Sequence, residues 1–199
     1  MGPKDVTSDN HRSRRWRTAI HEGGHVLMAV EEGCPFAEVA LARTADANGV
    51  MSQISVRRGD DEAVRIALGG IVAVRLCRSR WYWQLFAGAY SDLGIVADFF
   101  RGTKDAKHGI EFNVKATAIA ISSNWAAVET FAGALVTRRS LSHQTASAIA
   151  ASPRLQRRPP SEWEEIDWKP LAEHIHWRIK YPRGRVDALR ALMEESASV

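Results

Sequence analysis

A chain of 199 residues, 45% of them hydrophobic, is long enough for one domain with an appendage and can bury a core. A net charge of +4 is too mild to mark a nucleic-acid binder, and much of the excess sits in two short clusters, residues 11–17 and 154–158, that read as solvated ends. Two cysteines, Cys34 and Cys77, lack C-x-x-C spacing and exclude a disulfide framework or a cysteine-based zinc site. The N-terminus has no apolar signal segment. The most apolar run, residues 63–77, is too short to span a bilayer and carries Arg65 and Arg75. A soluble, cytoplasmic protein with no membrane span is the expectation.

In chain order, residues 1–12 read as disordered. A first helix is predicted over residues 13–32, stopped by Gly33 and Pro35. Residues 36–43 and 49–56 alternate in polarity around a turn-like stretch, which predicts a β-hairpin or two short strands. Acidic residues at 60–62 start a helix that continues to about Arg80. An aromatic-rich loop over 79–88 follows, and Ser91 is a plausible N-cap for a helix from Asp92 to about Phe100. A charged loop over 101–109 leads to one long apolar-periodic helix over 110–138. Ser140 or Ser142 caps a short helix to about Ala150. Residues 153–170, with Pro159-Pro160, read as a linker, and a last helix is predicted over 185–195. Trp163, Trp168 and Trp177 in this last quarter suggest that it docks on something. The total is mainly α with one small β element. It divides into a disordered start (1–12), a domain (13–151) and a Pro/Trp-rich extension with a helix (152–199).

The first helix carries His21-Glu22-Gly23-Gly24-His25, an H-E-x-x-H pattern. Residues four apart share a helix face, so the imidazoles of His21 and His25 converge and can hold one Zn²⁺. Glu22 faces the side where a water would bind. It can take that water's proton and pass it to a leaving amine. These are the parts of a zinc peptidase. The competing reading is a solvated helix that happens to carry two histidines. Against it, Ala19, Ile20, Val26, Leu27 and Val30 give the helix a buried side, where charged residues usually have partners. Gly23 and Gly24 each cost the helix about 1 kcal/mol relative to Ala. They are expected either to admit a substrate or another backbone, or to let a neighbouring helix pack closely.

A catalytic zinc site has three protein ligands plus water. Spacing leaves the third open among the carboxylates and His11, His108, His143, His174 and His176. Asp92, at a predicted helix start, is placed to present a carboxylate from a rigid element, or simply to favour the helix dipole. His174 and His176 are two apart, suit no shared helical face, and read as ordinary polar residues or partner contacts.

Several blocks, in order over about residues 14–150, resemble the peptidase domain of the FtsH family of zinc metalloproteases. TAIHEGGH is similar to the family's A-x-H-E-A-G-H, with Gly23 for the usual Ala. NGVMSQIS resembles its L-G-x-T-x-x-x-P strand without the proline, and IALGGIVAVRL its L-G-G-R-A-A-E-E helix, with the charged part replaced by Ile71-Val72-Ala73-Val74. GAYSDLGIVADFF resembles T-G-A-S-N-D-L-x-x-A-T, and SNWAAVETFAGALVTRRSLS the distal helix ending L-A-x-x-L-L-E-x-E-T-L. The first and fourth blocks are the specific ones.

The resemblance implies a helical zinc-peptidase domain with a small hairpin or edge strand beside the active site. His21, His25 and Asp92 would be the zinc ligands and Glu22 the general base. Gly49, Val50, Met51, Ser52 and Gln53 would form the strand that pairs with an extended polypeptide substrate through main-chain hydrogen bonds, which read shape more than sequence. The chain carries no G-x-x-x-x-G-K-[ST] phosphate loop. The expectation is therefore a zinc endopeptidase acting on peptides or unfolded proteins, independent of ATP unless a separate AAA+ ATPase serves it in trans. The family also implies a homo-oligomer. The rival expectation is a catalytically inactive binding or regulatory module that keeps the fold.

Overall fold

Helix α1, Arg14–Glu31, ends because Gly33 takes a left-handed conformation (φ 65°). The Gly33 N–H then donates to Val30 O and the Cys34 N–H to Ala29 O, closing the helix with two turned-back bonds. In this computed structural model the described residues are 14–41, 50–52, 61–77, 89–152, 159 and 162–182. The expected disorder of residues 1–12, the aromatic loop over 79–88 and the helix over 185–195 lie outside or almost wholly outside them.

Helix α2, Asp61–Leu76, is the centre of the molecule. Its sequence is apolar or small nearly all round, and every residue from Ile66 to Leu76 is buried. A helix of that kind can only be stable enclosed by others. α1 covers one side, while α3 (Tyr90–Phe100) and α4 (Ala106–Ser123) cover others. α5 (Trp125–Arg138) packs on α1, and α6 (His143–Ala151) packs on both α1 and α5.

Strands β1 (Glu38–Ala40) and β2 (Val50–Ser52) pair antiparallel, with Val39 opposite Met51. Residues 140–142, expected only as cap positions, also form a strand, β3 (Ser140–Ser142), on the other side of β1. Among the described residues the sheet therefore has three strands in the order β2-β1-β3, with β2 at an edge. Ser142 serves both purposes: it ends β3, and its hydroxyl accepts from the Thr145 N–H to cap α6. The mainly α architecture with a small antiparallel sheet agrees with the sequence reading.

Three expectations are corrected. The helix over 110–138 is two helices, bent by 77° at Asn124. Periodicity carries through the break because Ile121 and Trp125 are both buried, but Ser122 and Asn124 direct side-chain donors to the carbonyls of Ile119 and Ala120, competing with the helical ladder. Ser91 is not an N-cap: α3 begins at Tyr90 after Ala89, with no side-chain cap, and Ser91 lies inside the first turn. The stretch read as a linker is structured from 162 onward. A 3₁₀ turn, Trp163–Glu165, leads into helix α7, Lys169–Lys180, with Pro170 in its first turn, where the missing N–H costs nothing. Leu171 and Ile175 are fully buried where α7 packs on α3 and α4, and Trp168 is buried beside them.

Among the described residues, no single helix is long and apolar enough to cross a membrane.

Candidate metal centre

Three elements meet at one point. α1 presents His21 and His25 on one face, and the first turn of α3 presents Asp92. His21 Nε2 lies 3.1 Å from Asp92 Oδ2 and 3.1 Å from His25 Nε2, and His25 Nε2 lies 3.4 Å from Asp92 Oδ2. Zinc holds nitrogen and carboxylate ligands at about 2.0–2.2 Å, so three corners of its tetrahedron stand about 3.3–3.6 Å apart. The observed triangle is close to that size and slightly tighter. Among the described residues this is the one cluster of three or more His, Cys, Asp or Glu side chains with metal-site spacing.

α2 backs this triangle. The His25 Nδ1–H donates to the Ile66 carbonyl at 2.6 Å, which leaves the Nε2 lone pair for a metal. Neighbouring glycines make the approach possible. A Cβ on Gly70 would stand 2.5 Å from His25 Nε2 and 2.6 Å from His21 Cε1, so the imidazoles occupy the space a side chain would take. A Cβ on Gly69 would stand 2.6 Å from Gly24 O; α1 and α2 cross there backbone on backbone. Of the two purposes expected for Gly23 and Gly24, close helix packing is the one the structure shows. The second faces Gly69, and a Cβ on the first would stand 3.1 Å from Val128 O of α5.

The electrostatics suit a cation. Burial opposes protonation of His25, but the charge and hydrogen bond of Asp92, the charge of Glu22 and the Ile66 carbonyl outweigh it and push its pKa up to about 9. Burial alone would raise the Asp92 carboxyl. The imidazoles of His25 and His21 instead hold it far below the usual carboxylate range. A proton on His25 thus does the work that a divalent cation would do for all three ligands. Glu22 is only 5% exposed, and its charge is felt by His25. The side chains of His21 and Asp92 keep 15% and 19% exposure, so the cluster has an open side for water or substrate.

The remaining histidines do not join the cluster. His108 and His176 are exposed, His143 meets Phe36 edge-on, and His174 stacks on Trp177; His11 lies outside the described residues. Val50, Met51 and Ser52 form the sheet edge expected of a substrate strand, while Gly49 and Gln53 lie outside the described residues. A separate hollow of about 940 Å³ between α4 and α7, lined by Trp168, Trp177 and Tyr181 among others, shares no residue with the triangle. Two contributors escape sequence reasoning. The Ile66 carbonyl leaves no mark in the sequence. Gly70 leaves one, a glycine pair inside an otherwise apolar helix. The chain matches no protein-family model and no curated protein.

Proposed function

We propose that this chain is a zinc-dependent endopeptidase. The observation that carries the proposal is the triangle of His21 Nε2, His25 Nε2 and Asp92 Oδ2, with sides of 3.1–3.4 Å and a buried glutamate next in sequence to the first ligand. His21, His25 and Asp92 would hold the ion, and the Ile66 carbonyl keeps His25 in the tautomer that can ligate. When bound, zinc supplies Lewis acidity to a water and to the scissile carbonyl. Glu22 takes the proton from the attacking water and returns it to the leaving amine. Glu22 is held almost wholly out of solvent beside the first ligand, so its carboxylate has a fixed place from which to act. The resemblance to the FtsH-family peptidase domain assigns the same residues to the same roles.

The substrate class follows from strand chemistry. An edge strand recognises a partner through main-chain hydrogen bonds, so only an extended segment can pair with β2. Peptides and unfolded proteins are therefore the expected substrates, with weak sequence preference. The test is cleavage of a casein-type substrate by chelator-treated protein before and after zinc is added back. Activity that disappears with chelation and returns with zinc supports the assignment; cleavage that survives full metal removal overturns it.

A further inference from the structure

The crossing of α1 and α2 at Gly24 and Gly69, with Met28 and Ala73 packed beside it, sets how close the helices lie, but contacts gathered at the crossing restrain the pivot angle weakly. A directional contact away from the crossing restrains it further. Arg65 on α2 donates from Nε and Nη2 to the two carboxylate oxygens of Glu32, just past the end of α1, at 2.5 and 2.8 Å. Both side chains are mostly buried, at 22% and 16% exposure. A planar guanidinium facing both oxygens of a carboxylate constrains direction as well as distance. Along the helices this fork stands roughly 12 Å from Gly24 and roughly 6 Å from Gly69, at about 1.5 Å per residue. Two contacts separated in this way define an angle. Arg65 is also next in sequence to Ile66, whose carbonyl holds His25.

We propose that Arg65 and Glu32 are positioning residues for the metal ligand His25: their fork fixes the register of α2 on α1 so that the Ile66 carbonyl meets His25 Nδ1. The inference rests on reading the triangle as a metal site, and it adds control of that site by a pair outside it. Asp61 and Glu62 lie within one turn of Arg65 on its own helix. Loss of Glu32 therefore leaves Arg65 a local partner but removes the contact between helices.

The experiment compares wild type with Arg65→Lys, Arg65→Met and the double variant Arg65→Met/Glu32→Met. Three quantities are read: zinc affinity by chelator competition, thermal midpoint, and the hydrogen-bonded His25 Nδ1–H resonance in metal-free protein. Arg65→Met leaves Glu32 unpaired and is expected to lower both midpoint and affinity. The double variant leaves no uncompensated charge, so its midpoint should recover while zinc binding stays about 10–100-fold weaker, the range for loss of an outer-shell support. Arg65→Lys, which keeps the charge without the fork, should fall between. The Nδ1–H resonance should be lost or broadened in the double variant. Its persistence there, with wild-type zinc affinity, overturns the proposal. The resonance is read without metal, so failure of wild type to bind zinc would overturn the metal reading and leave the positioning test to be decided by the resonance alone.

Discussion

Replacing Gly70 with alanine adds one methyl group in space that the two imidazoles already fill. The new Cβ would stand 2.5 Å from His25 Nε2, 2.6 Å from His21 Cε1 and 2.7 Å from His21 Nδ1. Relaxing these contacts to an ordinary separation of about 3.5 Å moves the imidazoles by roughly 1 Å. A ligand set tolerates about 0.5 Å. Zinc affinity is therefore expected to fall by about 100-fold, the upper end of what loss of an outer-shell partner does. Stability should change far less. Overpacking costs about 1–3 kcal/mol, and alanine returns about 1 kcal/mol of helix propensity, so the net loss is about 0–2 kcal/mol. The assay is chelator competition for zinc beside thermal unfolding in excess chelator, on Gly70→Ala and wild type. A folded Gly70→Ala protein with wild-type zinc affinity would refute the claim that the imidazoles occupy the glycine's side-chain space.

Three further outcomes are expected. Gly69→Ala, whose Cβ would meet the Gly24 carbonyl carbon and oxygen at 2.9 and 2.6 Å, should destabilise by about 3 kcal/mol, since backbone cannot rotate away; a midpoint equal to wild type would contradict the close crossing. Gly133→Ala, where a Cβ meets nothing within 4 Å, should stabilise by about 0.5–1 kcal/mol in denaturant unfolding, and a loss would show unexpected crowding on that face of α5. The metal-free protein should lose stability as pH rises from about 6.5 through about 9. His25 binds its proton more tightly folded than unfolded, so its contribution is complete below its ordinary pKa and disappears above the folded one. Asp92 acts oppositely, its contribution being lost in acid as pH falls below its ordinary 3.8. Thermal midpoints that rise between pH 6.5 and 9 would contradict the protonated state of His25.

The histidine pair was legible because helical spacing alone puts residues 21 and 25 on one face. Asp92 was not legible from spacing: it is 67 positions beyond His25, on another helix, and only the family resemblance singled it out. The hairpin was visible in the alternation of its arms. β3 was hidden because three residues carry too little periodicity to register and Ser142 already read as a cap. The break at Asn124 was hidden for the opposite reason, since apolar periodicity runs through it and only the local side-chain bonds of Ser122 and Asn124 betray it. α7 was masked by the linker reading of 153–170, which Pro159-Pro160 suggested; Pro170 closes that stretch, yet in a first turn proline is a helix starter. Gly70 and the Ile66 carbonyl show where sequence reasoning ends. Their roles exist only once α2 lies across α1.

The most direct measurement is metal content and proteolysis on wild type and Glu22→Gln side by side. That substitution keeps His21, His25 and Asp92 and removes the base. About one zinc per chain in both proteins, with cleavage of an unfolded substrate by wild type alone, is the predicted result. Equal cleavage by both proteins would contradict the role of Glu22, and absence of zinc from both would contradict the metal centre itself.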